Sequence, residues 1–238
     1  EMCIRDRSSS HTMGPMVAAN NFLELMRSSP FNFAGVRCRL HGSLAFTGVG
    51  HATDRAITLG LEGFTPENYD EVKASKALSR IQSTHFLEPD GLGKLKFNTS
   101  EDLIFDYGPR LDEHSNGLIL YAIDHQGDVI LEEIYFSIGG GFILTKSEFS
   151  QQSPNEIGTE VPYPFKTAAE MLQMARSSGK SIAEMKRDNE KALHSNAEIK
   201  DGLSRIWKTM DMCIKRGLEN DGQLPGGLNV KRRAKGIY

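Results

Sequence analysis

The stretch SSSHTMGPM at residues 8–16 places three serines, His11 and Thr12 directly before a proline-containing turn. Pro15 favours the first turn of a helix, because its fixed φ fits that turn and its missing N–H is not needed there. The N-terminal end of a helix attracts anions, hydroxyls add donors, and an imidazole moves protons near neutral pH. The stretch therefore predicts a helix with a carboxylate site at its head, and an ordinary N-terminal cap is the alternative.

Periodic apolar residues continue this first helix to the Ser28-Ser29-Pro30 sequence, which ends it. A strand follows, because apolar residues alternate with Arg37, Arg39 and His41 up to Gly42. The helical positions are Met16, Ala19, Leu23 and Met26, and the strand positions are Val36, Cys38 and Leu40.

A second histidine lies close to the start of the next predicted helix. Residues 47–51 contain two glycines and end on His51, which predicts a loop. Thr53 and Asp54 are favourable first-turn residues, so a helix is expected from there to Gly63. His51 is therefore predicted at the mouth of a second helix.

The pattern changes from helical to β after one further helix. That helix is predicted from Thr65 and Pro66, a cap followed by a first-turn proline, to about Ser83. Residues 94–145 then contain short runs of β-branched, aromatic and leucine residues separated by polar turns. They predict three or four antiparallel strands, and hence an α+β fold with helices packed on a mostly antiparallel sheet.

Three consecutive glycines, Gly139, Gly140 and Gly141, follow Ser137 at the end of the last predicted strand. Glycines are costly inside a strand, so the run indicates a close approach of the backbone to another group. A β-bulge explains the same run equally well.

The chain is predicted to be helical after Pro164. In the longest of these helices, which starts at Asn196, apolar residues recur at alternating spacings of four and three, which is typical of a face that packs on another helix. The face consists of Ile199, Leu203, Ile206, Met210 and Cys213. We expect a domain at residues 1–160 and a helical connector at residues 161–238.

Composition and charge exclude several classes of protein. The 238 residues carry a net charge of −3, so no basic field attracts nucleic acid or anionic lipid. No apolar run is long enough for a membrane span or a signal peptide. Cys3, Cys38 and Cys213 are far apart and form no disulfide framework, which indicates a soluble cytoplasmic protein.

Other chemistries have weaker support in the sequence. A serine hydrolase triad from Ser10, His51 and Asp54 lacks the G-x-S-x-G elbow. A metal site from His11, His41 and His51 lacks helical spacing and a nearby cysteine. The two glycines of residues 48–50 lack the third glycine and the βαβ context of a dinucleotide site.

Several motifs together resemble the bacterial iron–sulfur L-serine dehydratases. They are SSSHTMGPM at residues 8–16, GSLAFTGVGHATD at 42–54, YFSIGGGF at 135–142, VPYPF at 161–165 and LPGGLNVKRR at 224–233. This resemblance implies a β domain similar to the substrate-binding regulatory domain of phosphoglycerate dehydrogenases, followed by helices that lead into a helical catalytic domain. It also implies the reaction from L-serine to pyruvate and ammonia.

The same resemblance implies a [4Fe-4S] cluster held by three cysteines of the catalytic domain. The three cysteines of this chain do not match those positions, so we expect no metal ligand here. The chain is then either a separate subunit or part of a single-chain enzyme, and its expected partners are L-serine, the catalytic domain and a second copy of itself.

We predict His51 as the base that removes the α-proton, and His11, the second catalytic residue, as orienting the substrate carboxylate and the leaving group together with the hydroxyls at residues 8–10. The predicted substrate-binding residues are Ser8, Ser9, Ser10, Thr12, Thr53, Asp54, Ser137, Gly139, Gly140 and Gly141. A second hypothesis is a non-catalytic module that binds L-serine and regulates the catalytic domain.

Overall fold

The structure is a computed structural model that describes residues 8–151, 161–224 and 230–238. Cys3 and residues 225–229 of the last motif lie outside the described residues. The chain divides into two compact units. The first consists of Glu1–Gln151 and Asp221–Arg233, and the second of Gln152–Asn220 and Ala234–Tyr238.

The two motifs that carry histidine form the start of α1 and the whole of α2 in the first unit. A π-helical turn, Ser9–Met13, leads directly into α1, and Pro15 occupies the first turn of α1 as predicted. The α-helices are α1 (Gly14–Ser28), α2 (Gly42–His51), α3 (Thr53–Leu61), α4 (Glu71–Thr84) and α5 (Lys146–Gln151).

Two local predictions about these helices are wrong. Residues 47–51, expected as a loop, complete α2, because burial of the apolar face of α2 outweighs the low helix propensity of its glycines. The third helix begins at Glu71 instead of Thr65, because Asp70 caps it by accepting a bond from the Lys73 N–H.

A mixed sheet forms the other layer of the first unit. Its strands are β1 (Gly35–Leu40), β2 (Phe86–Leu87), β3 (Leu95–Lys96), β4 (Leu103–Phe105), β5 (Gly117–Ile123), β6 (Val129–Gly139) and β7 (Phe142–Thr145). Their order is β2-β3-β1-β5-β6-β7, and β4 also pairs with β1. The chain has an α+β fold.

The prediction of antiparallel pairing holds for part of the sheet only. β5, β6 and β7 form an antiparallel meander that pairs with β1, but β3 and β4 run parallel to β1. Parallel strands need a long crossover, and α2, α3 and α4 provide it. The sequences of the short strands β3 and β4 do not indicate whether they pair parallel or antiparallel with β1.

The core lies between the helices and the sheet. The predicted strand β1 buries Val36, Cys38 and Leu40, and α1 buries Phe22 and its other apolar positions. α3 packs closely on α1 at Gly60, where an added Cβ would lie 2.5 Å from the Met16 carbonyl oxygen. This packing holds the C-terminal end of α3 against the first turns of α1.

The second unit consists of helices α6 (Ala168–Ser178), α7 (Ile182–Lys191), α8 (Asn196–Glu219) and α9 (Ala234–Ile237). Reciprocal capping boxes begin α6, α7 and α8. The Asn189 side chain accepts a bond from the Tyr163 N–H and donates one to its carbonyl, which orders the VPYPF segment. None of the described helices is both long and apolar enough to span a membrane.

Candidate functional site

The rings of His11 and His51 lie side by side in the first unit. Their centroids are 4.8 Å apart, and the ring planes are inclined by 42°. His11 belongs to the π-helical turn before α1, and His51 is the last residue of α2. The fold therefore brings together two motifs that are 40 residues apart in the sequence.

Two threonines hold the backbones of these histidines. Thr12 Oγ1 donates a hydrogen bond of 2.8 Å to the His51 carbonyl, and Thr53 Oγ1 donates one of 2.6 Å to the His11 carbonyl. Both threonines are fully buried. Ala52, with φ of 54°, forms the sharp turn between α2 and α3. These reciprocal bonds fix the spacing between the rings, and they give Thr12 and Thr53 a supporting position.

Both ring nitrogens of His11 are hydrogen-bonded to hydroxyls. Nδ1 lies 2.8 Å from Ser10 Oγ, and Nε2 lies 2.9 Å from Ser43 Oγ. Among the described residues, by contrast, no hydrogen bond reaches the ring nitrogens of His51, whose side chain is half-buried. His11 is thus fixed in orientation, whereas His51 has a ring nitrogen open to an incoming group.

Burial lowers the pKa of His11, and the neighbouring His51 lowers it further. Two imidazoles in contact resist carrying two positive charges at once. His11 therefore remains neutral at pH 7, so that one ring nitrogen donates to a hydroxyl and the other accepts.

The three serines form the N-terminal end of the helix that contains His11. The Ser8 hydroxyl accepts a bond of 3.3 Å from the His11 N–H and lies 3.3 Å from Ser10 Oγ. The N–H groups of Ser9 and Ser10 have no acceptor among the described residues. The anion-attracting end of the helix is therefore at residues 8–10, one turn earlier than the predicted start near Pro15.

Ser137 lies behind this turn. Its hydroxyl is buried and has no hydrogen-bond partner among the described residues. A Cβ added at Gly14 would overlap it, so Ser137 packs directly against the start of α1. Asn116 Nδ2 donates to the Ser137 carbonyl and anchors this end of β6.

The glycine run forms the turn between β6 and β7. Gly139, Gly140 and Gly141 all have positive φ, and the strand register shifts between Ser137 and Gly139. The irregular register agrees with the bulge explanation. An added Cβ at Gly141 would lie 3.6 Å from Met13 Cβ, which is an ordinary contact distance, so the positive φ values account for the glycines better than a close approach does.

Asp54 contributes to a different part of the surface. Its side chain lines a cleft of about 580 Å³ together with Arg55 and polar side chains of α4. No hydrogen bond or ion pair within the described residues links the Asp54 carboxylate to either histidine. The structure thus brings His11, His51 and Ser10 together but separates Asp54 from them.

Ser43 is the residue of this cluster that the sequence reasoning missed. It lies in the GSL portion of the second motif and reaches His11 Nε2 from the first turn of α2. The Ser43 N–H donates a hydrogen bond of 2.8 Å to the Ser115 carbonyl, which fixes this turn. Ser43 could have been suspected as a site residue only because it lies within a motif that matches the family. No local sequence pattern links it to His11.

The described residues do not fit an iron–sulfur cluster. Cys38 is buried in β1, and burial raises the pKa of its thiol far above the usual range, which opposes thiolate ligation. Within residues 8–151, 161–224 and 230–238, no three His, Cys, Asp or Glu side chains are grouped to hold a metal ion.

The chain matches the protein family described as Serine dehydratase beta chain over residues 7–148. It is 38% identical over 229 residues to the L-serine dehydratase of Streptomyces coelicolor, a match that covers 95% of this chain and 50% of that protein. The L-serine dehydratase of Haemophilus influenzae is 36% identical over 235 residues, with 97% and 51% covered. L-serine dehydratase TdcG of Escherichia coli is 40% identical over 231 residues, with 95% and 50% covered. The chain spans about half the length of the curated relatives it matches.

Proposed function

Because this chain belongs to the serine dehydratase beta chain family, we propose that it supplies the proton-transfer half of an L-serine dehydratase active site. The complete reaction converts L-serine to pyruvate and ammonia. The other half of the relatives' length would provide the remaining part of the site, so this chain alone is expected to be inactive.

The different bonding of the two histidines carries this proposal. His11 is held at both ring nitrogens by Ser10 and Ser43, while no described residue makes such a bond to the adjacent His51 ring. A general base needs a free nitrogen within reach of the proton it removes. His51 is therefore assigned as the base. His11 is assigned as its neutral neighbour, which carries no positive charge that would oppose protonation of His51.

The reaction balances with these residues as follows. The substrate carboxylate binds at the N–H groups of Ser9 and Ser10 and at the Ser8 hydroxyl. His51 takes the proton from Cα, and the electron pair forms the Cα–Cβ double bond as the Cβ–O bond breaks. The departing hydroxide takes up one proton from solvent and leaves as water, and His51 later returns its proton to solvent. The aminoacrylate product tautomerises to an imine, and water hydrolyses it to pyruvate and ammonia.

The remaining site residues have supporting roles in this proposal. Thr12 and Thr53 hold the two histidine backbones, and Ser137 with Gly139, Gly140 and Gly141 supports the serine turn from behind. Asp54 would take part only if the substrate or the partner extends to its cleft.

We further propose that a [4Fe-4S] cluster belongs to the half that this chain does not span. When bound there, it would supply a Lewis acid for the departing hydroxyl. The β domain would share the fold of the phosphoglycerate dehydrogenase regulatory domain, and the complete enzyme would work in the cytoplasm as a homodimer without a nucleic-acid or membrane partner.

The test is His51→Ala in an enzyme that combines this chain with the other half of the protein. Loss of a general base lowers turnover by about 10²–10⁴-fold, and kcat should fall more than KM rises. Ser43→Ala, which frees His11 Nε2 without removing an imidazole, should reduce turnover less. His125→Ala, at an exposed turn residue, is the matched control and should leave turnover unchanged. Wild-type kcat in the His51→Ala enzyme would refute the assignment.

A regulatory module that binds L-serine without catalysis is the second candidate. It is favoured by the serine turn, whose N–H groups and hydroxyls all belong to this chain. Calorimetric titration of the chain with L-serine, in the absence of iron, distinguishes the two candidates. Saturable binding that survives His51→Ala would support the module, whereas absence of binding favours a half-site completed by the partner.

A further inference from the structure

Helix α8 in the second unit exposes an unusual number of large apolar side chains. Ile206, Trp207 and Met210 are 59%, 62% and 52% exposed. Leu203 and Ile214, one turn to either side, are exposed by 55% and 52%. Single exposed apolar residues are ordinary, but a contiguous row of this kind marks a contact surface.

These five side chains share one face of the helix. With about 100° between successive residues, they fall within an arc of about 100°, the width of the stripe by which a helix packs on its neighbours. The opposite face is charged, since it carries Asp201, Arg205, Lys208, Lys215 and Arg216. We call the row Leu203, Ile206, Trp207, Met210 and Ile214 the α8 stripe.

Hydrophobic burial among the described residues does not account for the stability of this helix. None of its 24 residues is buried. Helical stability in proteins comes mostly from packing an amphipathic face, which contributes more than helix propensity does. The capping box at Ser195 and Glu198 stabilises only the first turn. The α8 stripe therefore lacks the cover that its pattern requires.

The comparisons indicate what covers it. The matches include at least 95% of the chain, which leaves at most about 12 of 238 residues unmatched, fewer than the 24 residues of α8. The relatives thus contain this region, and about as many residues again lie outside the matched part of each relative. One half thus has a helix with an uncovered apolar face, and the relatives have a second half of similar size that could cover it.

We propose that the α8 stripe is the surface on which the other half of the enzyme docks. The proposal rests on the proposed function only in that the chain works together with that half. A second copy of this chain is the competing occupant. Coverage of the stripe by the other half would bury five large apolar side chains at once and make this contact a main source of cohesion between the halves.

Trp207 provides a direct probe, because it is the single tryptophan of the chain. The full chain is labelled with 5-fluorotryptophan and mixed with the unlabelled half of the Streptomyces coelicolor relative that lies outside the match. The ¹⁹F signal should shift and lose its sensitivity to a soluble paramagnetic agent, since the ring leaves the solvent. The Haemophilus influenzae half is tested in the same way to allow for species mismatch.

Two variants separate the stripe from the rest of the helix. Ile206→Glu places a charge in the stripe and should weaken binding of the other half more than tenfold. Lys208→Glu changes a charge on the opposite face and should leave the affinity within about twofold of that of the unmodified chain, as rim charges do. Circular dichroism of both variants checks that helix content is unchanged.

Each remaining outcome would overturn the proposal. A ¹⁹F shift that grows with the concentration of the chain alone assigns the stripe to a second copy. An unchanged signal with both partner halves, or equal weakening by the two variants, places the contact elsewhere. The ¹⁹F readout does not depend on turnover, so it tests this proposal separately from the proposed function. Binding at the stripe with wild-type turnover in the His51→Ala enzyme would refute only the proposed function. Turnover that depends on His51 without binding at the stripe would refute only the docking proposal.

Discussion

The two compact units use their large apolar side chains differently. In the first unit, α1 and the sheet enclose Phe22, Tyr135 and similar side chains completely. In the second unit, the side chains of the α8 stripe are more than half exposed. Among the described residues of this unit, Met185 of α7 is the one buried large apolar residue. The first unit supplies its own core, whereas the second has the amphipathic pattern of a core without the matching surface.

This difference suggests where the chain is rigid enough to hold chemistry. The histidine pair belongs to the unit with the complete core, and its backbone is fixed by buried threonines. A catalytic constellation needs supporting residues that are themselves locked by packing. Four predictions test the contrast, from the largest expected effect to the smallest.

Phe22→Ala is expected to have the largest effect on folding. Phe22 is fully buried in α1, so its truncation leaves a cavity in the core of the first unit and costs about 3–5 kcal/mol. Urea unfolding of the full chain, followed by far-ultraviolet circular dichroism, measures this cost. A loss below about 1 kcal/mol would contradict the description of the first unit as a self-sufficient core.

Gly60→Ala should destabilise the first unit by about 1–3 kcal/mol through overpacking. The added methyl group would lie 2.7 Å from Ala19 Cβ and 2.5 Å from the Met16 carbonyl oxygen, at the contact between α1 and α3. The matched control is Gly202→Ala in α8, where nothing lies within 4 Å. The same change there should stabilise the helix by about 0.5–1 kcal/mol. If both substitutions change the free energy of unfolding in urea in the same direction, the two glycines do not differ in packing as described.

Acid should weaken the first unit through the half-buried His11 and the buried His41. Burial is the main cause that lowers the pKa of both His11 and His41 from 6.5. Beside His41, the Asp106 carboxylate opposes this shift and the Arg39 guanidinium adds to it. Below about pH 6.5 the unfolded chain binds more protons than the folded chain, so stability is complete above this pH and falls as pH decreases.

This pH dependence is measured as the difference in unfolding free energy between pH 7.5 and pH 5.5. The double variant His11→Gln, His41→Gln should reduce that difference. The exposed His125→Ala is the control and should leave it unchanged. An undiminished pH dependence in the double variant would assign the acid sensitivity to other groups.

Ile206→Ala is expected to have the smallest effect. The side chain is 59% exposed, so its truncation in the isolated chain should change unfolding free energy by no more than about 0.5 kcal/mol. The same substitution should matter only when the α8 stripe is covered. A cost like that of Phe22→Ala in the chain alone would mean that the stripe is already buried in solution.

Local signals predicted much of the molecule. The proline-started helix α1, the alternating strand β1 and the long helix from Asn196 follow from short-range patterns. The π-helical turn at Ser9–Met13 had no such signal, because it depends on the packing of residues on both sides. The helix ending at His51 was missed because two glycines imitate a loop when propensity is read alone.

The sequence by itself determined the family, the α+β class and the two segments that carry histidine, because motifs, periodicity and caps are properties of neighbouring residues. Only the tertiary structure decided that β3 and β4 run parallel to β1, that Ser43 holds His11 and that Asp54 faces another cleft. These relations join residues far apart in the chain. They arise when burial of the shared core selects one arrangement of α1, α2 and α3, a choice that no local stretch of sequence contains.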